Sequence, residues 1–404
     1  MRISSNQTHL NGLNSILQKQ VDLVRIQSQI ASGQRITKAS DDPIAAITIF
    51  NLQQQLGLSN RWIANAENAQ TFVQQEEVAL FGIENVLQRS RELLVNAGNG
   101  SFSDSDRQSL AVELEQRLDE LVSLSNTRVN GSEYLFSGFK SGVKPVTTDV
   151  TGAFLYNGDQ GVRSVEVGSG VKVATADSGY DLFFDIKNGN GDFVTTSAAA
   201  NTGTGVISPG SVTDQAAFIP ANYQIDFTVT GTGQIQYEVF DATPTSILGP
   251  VDFIEGNAIA FNSHSFEITG TPAAGDSFAI TPSSRQDVFS SLKNAIAALK
   301  TSAAAPAAQA QFSNAVSLSL ENIDRALENV LQVHSRVGSR LNVIENQLDV
   351  NLDFNLATSE ALSNVRDLDL ASAITELTQV QIGLEAAQAS FVRIQGLSLF
   401  NFLR

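Results

Sequence analysis

The sequence predicts an α+β fold: long antiparallel helical arms (a bundle or coiled coil) from both chain ends, with a β-rich domain inserted between them. Three observations predict it. Apolar residues recur in alternating steps of three and four along both flanks, as a helix seam requires. The middle instead alternates apolar with polar residues in short runs broken by glycine. Composition shifts at the same places: residues 141–284 hold 15 acidic and 4 basic side chains and are rich in Gly, Thr, Val and Phe, whereas the flanks hold 27 and 21 and favour Leu, Gln, Asn, Ala and Ser. The shifts fall near Gly138–Lys144 and Pro282–Gln286. Terminal helices are therefore expected at 1–34 and 364–404, a helical rod domain at 35–140 with 285–363, and an outer β-rich domain at 141–284.

In the first helix Leu10, Leu13, Leu17 and Val24 form one column, with Ile16, Leu23 and Ile30 beside it. Ser32-Gly33 ends it. Asp41-Asp42-Pro43 leads into the next, with Asp42 placed to cap and Pro43 at the first helical position. That helix runs to about residue 98, roughly 80 Å at the usual rise. It carries Phe72/Val73, Ala79/Leu80, Val86/Leu87 and Leu93/Leu94 at seven-residue spacing. Asn99-Gly100 and the Ser/Asp-rich run to Asp106 form a turn, and Leu110, Leu114, Leu118, Leu121 and Val122 mark a shorter helix.

In the middle, Tyr223, Ile225, Phe227 and Val229, then Ile235, Tyr237 and Val239 after Gly231-Thr232-Gly233, read as a hairpin. GYDLFFDI at 179–186, AIAFNSHSFEIT at 258–269 and DSFAIT at 276–281 read as further strands. DIKNGNGD at 185–192 superficially suggests a calcium loop. It lacks the acidic register and the terminal Glu of such loops, and reads as a hairpin turn.

On the return, Val316, Leu320, Ile323, Leu327, Val330, His334, Val337, Leu341, Ile344 and Leu348 alternate four and three without a break. His334 is the polar member, read as a register-setting residue because no second metal ligand accompanies it. Leu352 to Ser363 is weaker in pattern. Asp369 is placed to cap the last helix, in which Leu370, Ala373, Leu377, Val380, Leu384, Ala387, Phe391 and Ile394 keep the four–three step.

The 404 residues contain no cysteine, which removes disulfides, thiol nucleophiles and CxxC zinc sites. His9, His264 and His334 lie far apart. A formal charge of −17 repels nucleic acid and anionic lipid. No apolar run is long enough for a membrane span. The first twenty residues lack a basic stretch followed by an apolar one, so no cleaved secretory signal is expected. Neither a P-loop nor GxGxxG nor GxSxG occurs, and the paired carboxylates Asp41/Asp42 and Glu76/Glu77 read as capping and solvated positions. The reading is therefore non-enzymatic, with no cofactor or metal.

The terminal seams point to assembly. Residues 370–404 hold only Glu376, Glu385, Arg393 and Arg404 as charges, with Gln and Ala where a solvated helix would place Lys and Glu. Such helices suit a surround of other helices. The chain ends are expected to order in a multi-subunit structure, with Leu10, Leu13, Leu17, Val24, Leu377, Val380, Leu384, Phe391 and Ile394 as the assembly seam and Asp41, Asp42 and Pro43 as the turn between layers.

Three segments carry a resemblance. SGQRITKASDDPIAA at 32–46, VNGSEYLFSGFKSG at 129–142 and the final VRDLDLASAITELTQVQIGLEAAQASFVRIQGLSLFNFL resemble the flagellin family. FLYNGDQGVRSVEVGSGVKVATADSGYDLFFDI at 154–186 and GTPAAGDSFAITP at 270–282 are more similar to its hook-associated proteins than to flagellin itself. The resemblance implies a structural adaptor of the bacterial flagellum between hook and filament, assembling as a ring through terminal helices that line an inner tube and are disordered in the monomer. The implied partners are the first hook-associated protein, flagellin, copies of the chain itself and a cytosolic flagellar export chaperone. The implied location is extracellular, on the flagellum, reached by type III export. A minor flagellin polymerising as a filament subunit is the alternative; an adhesin or surface coiled coil is a more distant one.

Overall fold

The computed structural model describes the backbone of residues 5–100, 102–129 and 131–400, and side chains at 7 and 9–393 within those ranges. Helix boundaries follow local chemistry. α1 (Ser5–Ser32) stops at Gly33, whose φ of +68° is a left-handed conformation that glycine adopts readily. α2 (Pro43–Ala97) starts where Asp42 Oδ1 accepts the Ala45 N–H at 3.0 Å. α3 (Asp104–Ser125) opens on a reciprocal capping box between Ser103 and Asp106. α5 (Val288–Lys300) is capped by Asp287, α6 (Pro306–Arg366) begins with proline, and α7 (Leu370–Phe400) is capped by Asp369, which accepts the Ala371 N–H at 3.0 Å.

The chain forms two compact units, residues 1–64 with 347–404 and residues 65–346. In the first, α1 and α7 pack against each other. The early part of α2 meets the late part of α6, where Ser59 Oγ donates to the Asn351 carbonyl at 3.1 Å.

In the second unit α2 presents an unbroken three–four seam: Ala66, Ala69, Val73, Glu76, Leu80, Ile83, Leu87, Ser90, Leu94 and Ala97 are all 0–1% exposed. α6 faces it in antiparallel sense, shown by Gln70 with Glu345, Glu84 with His334 and Arg91 with Asp324. The column Val316, Ile323, Val330, Val337 and Ile344 is buried as predicted. Its companion is not the predicted Leu320, Leu327, His334, Leu341 and Leu348, which are half-buried at the seam's edge. Phe312, Ser319, Ala326 and Val333 take that place. Ser319 and Ala326 are buried there, and the leucines one position on lie at the border. His334 is accordingly no interior register residue: its side chain keeps 26% exposure and its Nδ1 lies 3.3 Å from Glu84. Glu76 also departs from expectation. The sequence puts it on a capping or solvated position, and it is fully buried within the seam, opposite Arg340 of α6. The predicted stripe of α2 and the short α3 are otherwise as expected; α3 packs against α5, with Leu114 and Leu121 of the one and Leu292, Ala295 and Leu299 of the other buried.

Among the described residues the strands all lie in this unit. Small antiparallel pairs come first: β1 (Arg128–Val129) with β2 (Glu133–Tyr134), β3 (Val146–Thr148) with β4 (Phe154–Tyr156), and β5 (Ser164–Gly168) with β6 (Val171–Ala174). The segment read as a strand at 179–186 is mostly a short helix, α4 (Gly179–Phe183). Ser178 caps it by accepting the Tyr180 N–H, and Leu182 and Phe183 are buried among Phe136 and Phe289. Aromatic content suggested a strand; a cap and a helical pair of apolar residues prevailed. β7 (Ile186–Lys187) and β8 (Phe193–Ser197) follow, then β9 (Val206–Ile207) and β10 (Ser211–Val212). The turn at 188–192 is real but is no hairpin: it joins β7 and β8, which pair with β17 (Arg285–Gln286) and β16 (Ser277–Pro282) respectively. β11 (Tyr223–Val229) and β12 (Ile235–Asp241) form the predicted hairpin with Val229 opposite Ile235. β13 (Ser246–Asp252), β14 (Ala258–Phe261) and β15 (His264–Thr269) complete the set. Five strands run β13-β12-β11-β16-β8; β9, β10 and β14 pair with β15. The two sheets share one core of Phe193, Ile225, Phe227, Phe266, Phe278 and their neighbours.

Candidate assembly surface

The first unit holds every assembly residue predicted from the sequence. Its frame is the joint where α1 passes to α2 and α6 to α7. After Gly33 the chain runs beside its own far end: Gln34 and Asp367 form an antiparallel bridge, the Arg35 N–H donates to the Arg366 carbonyl at 2.8 Å, and the Leu368 N–H donates to the Gly33 carbonyl at 3.0 Å. The Arg35 guanidinium adds a 2.9 Å bond to the Val365 carbonyl. Asp367 is gripped by Arg366 and Ser363, which hold its carboxyl below the usual range; Asp369 is held down likewise, foremost by the Ser372 hydroxyl.

Asp41, Asp42 and Pro43 divide the work of the turn. Asp41 Oδ2 accepts the N–H groups of Lys38 and Thr37 and the Thr37 hydroxyl at 2.9–3.2 Å. These bonds, that from Lys38 first, keep its carboxyl ionised to lower pH than an ordinary aspartate. Asp42 caps α2 and Pro43 supplies its first residue. An extended corner thus becomes a rigid helix start without buried polar loss.

The apolar columns separate. Leu10, Leu13, Leu17 and Val24 are 53%, 40%, 49% and 64% exposed. Val380 is buried, and Leu377, Leu384 and Phe391 are half-buried. The ring of Phe391 sits 4.9 Å from that of His9 and over Gly12, where an added Cβ would lie 2.9 Å from it. Arg25 lies 3.7 Å from Glu376. The C-terminal column therefore lies partly against α1 of the same chain, while the N-terminal column points away. The Ile394 side chain lies outside the described residues.

Sequence reading missed much of the surface. Val21, Ile44, Ile47, Phe50, Leu356, Ile374 and Ile382 are each more than half exposed. Ile44 and Ile47 stand directly behind the Pro43 helix start, a spacing of three that signals a helical face. Among the described residues no group of three or more His, Asp or Glu side chains is arranged to hold a metal, and no helix is long and apolar enough to cross a membrane. The loop once compared with a calcium site lines an open cavity of about 380 Å³ together with Arg325 and Glu328 of α6.

Residues 3–141 match the bacterial flagellin N-terminal helical region and residues 320–403 match the C-terminal helical region. The chain is 25% identical over 405 residues to flagellar hook-associated protein 3 of Salmonella typhimurium, covering all of both chains. The crystal structure of the flagellar junction protein FlgL from Legionella pneumophila is similar at 34% identity and a TM-score of 0.73, over 78% of this chain and 100% of that one. FlgL of Xanthomonas campestris matches at 30% identity and a TM-score of 0.72, over 77% and 99%.

Proposed function

This chain belongs to the bacterial flagellin family, and we propose that it serves as a hook-associated protein 3, the structural piece that joins the flagellar hook to the flagellin filament. Likeness along the whole length to such proteins supports this reading over a minor flagellin. The observation that carries the mechanism is the exposed column Leu10, Leu13, Leu17 and Val24 on α1.

Copies of the chain set these columns against one another in a ring. Each aliphatic side chain buried contributes about 1.5–3 kcal/mol, and several per subunit offset the entropy of ordering the ends. Residues 1–34 and 364–404 form the inner layer, 35–140 with 285–363 the middle one and 141–284 the outer. The Asp41-Asp42-Pro43 turn fixes the angle between the first two. One face of the ring meets the first hook-associated protein and the other meets flagellin. A cytosolic export chaperone covers the apolar ends before passage to the cell exterior. The role is structural rather than catalytic.

A deletion strain viewed by electron microscopy tests this. Hooks without filaments, with flagellin released into the medium, are expected. Short filaments still attached to hooks would overturn the junction role in favour of a minor flagellin.

A further inference from the structure

Three charged groups meet inside the second unit from parts of the chain more than 100 residues apart. Glu76 lies in the α2 seam with no exposure. Arg340 lies in the α6 seam with 13% of its side chain exposed, and Asp177 stands between β6 and α4 with 12%. Arg340 Nη1 donates to Glu76 Oε2 at 3.2 Å and Nη2 donates to both Asp177 oxygens at 3.1 and 3.2 Å. The Asp177 N–H donates to Glu76 Oε1 at 2.8 Å.

The charge count is uneven. One guanidinium faces two carboxyls, so with both ionised the cluster keeps a negative charge away from water, which is costly. With one proton on Glu76 it is neutral. Burial, and next the charge of Asp177, push the Glu76 carboxyl up to about 8. Other charges nearby are engaged elsewhere or more distant. Arg163, over the ring of Phe72 one turn earlier in α2, is bonded to Glu133. Arg336, one turn before Arg340, acts on Asp181 of α4, whose carboxyl burial raises, with Asp185 and Asp177 adding to the rise and Arg336 and Arg285 opposing it.

We propose that Glu76, Asp177 and Arg340 form an alkali-sensitive lock that fastens the segment leading into α4 onto the α2–α6 pair. The segment's other hydrogen bonds do not titrate: the Thr175 N–H donates to the Arg163 carbonyl at 2.8 Å, Ser178 Oγ to the Asp159 carbonyl at 3.2 Å, the Gly179 N–H to the Phe136 carbonyl at 3.0 Å, and Asn329 Nδ2 of α6 to the Asp181 and Leu182 carbonyls at 2.9 and 3.0 Å. The sign follows from the proton count. Glu76 holds its proton more tightly docked than released, so docking is fully stabilised below the ordinary glutamate range and weakens as pH rises through about 8.

Hydrogen–deuterium exchange of the full chain between pH 6.5 and 9.5, corrected for intrinsic rates, reads the lock. In wild type, protection of peptides within residues 171–184 should fall by up to roughly tenfold per pH unit from pH 6.5 to about 8 and level off above it. Glu76→Gln, neutral at every pH, should hold protection level across the range. Asp177→Asn, which leaves Arg340 to Glu76 alone, should also flatten the slope, and it carries the test if Glu76→Gln loses the exchange protection of β11 and β16 that marks a folded unit. Level protection in wild type, or the wild-type slope persisting in the folded variants, would overturn the lock.

Discussion

The two units treat the same kind of side chain in opposite ways. Among the described residues of 1–64 and 347–404, Ile26, Ile36, Ala45, Leu362, Ala373 and Val380 are the buried apolar side chains, against 17 large ones left exposed. Among the described residues of 65–346 the proportion reverses, with 55 buried and 16 large ones exposed. Aliphatic content does not make the difference, for α1 and α7 are rich in Leu, Ile and Val. Geometry does. The first unit pairs α1 with α7 and the early part of α2 with the late part of α6, whereas the second adds α3, α5 and two sheets to its α2–α6 pair. Apolar surface without a neighbour to cover it marks a place for a partner.

Several measurements sharpen or break that contrast. The largest effect is expected from charge on the exposed column: Leu13→Asp with Leu17→Asp should abolish filament attachment in cells, with the monomer's denaturation midpoint unchanged. Attached filaments of normal length would show that the column has no neighbour in the assembly. In the second unit, Phe227→Ala should cost about 3–5 kcal/mol in urea unfolding. Leu13→Ala in the first should stay within about 0.5 kcal/mol. Similar losses from both would erase the distinction. Limited proteolysis of dilute monomer should trim both ends and leave a core of about residues 40–360; resistant ends would count against ordering by assembly. The smallest effect concerns His264, buried among Phe193, Phe218, Tyr223 and Phe261, where burial lowers its proton affinity. Its neutral form is favoured in the fold. Its share of stability is therefore complete above the ordinary histidine value of 6.5 and declines as pH falls below it. His264→Phe should flatten the urea midpoint between pH 5 and 7.5.

Much of this was legible from local chemistry. Gly33, Asp42-Pro43 and Asp369 declare helix ends because caps are local. The 223–239 hairpin shows in strict alternation around a glycine turn. What stayed hidden depended on distant neighbours. Leu320 and Leu327 look as suited to a seam as Ser319 and Ala326, and only the approach of α2 decides between them. Glu76 resembles any helical glutamate until Arg340 and Asp177 arrive from elsewhere in the chain. For the assembly column, sequence could mark the apolar stripes of α1 and α7 but not which faces they would turn to each other: Phe391 found Gly12, and Leu13 stayed 40% exposed.

The short bridge at Gln34 and Asp367 has a mechanical consequence. Because Arg35 and Leu368 bond across it, tension on α1 is not confined to the single covalent path into α2. It is shared in parallel with the start of α7 and the end of α6, loaded in shear. A pull or twist delivered at either terminus is thereby spread over two strands of backbone at once.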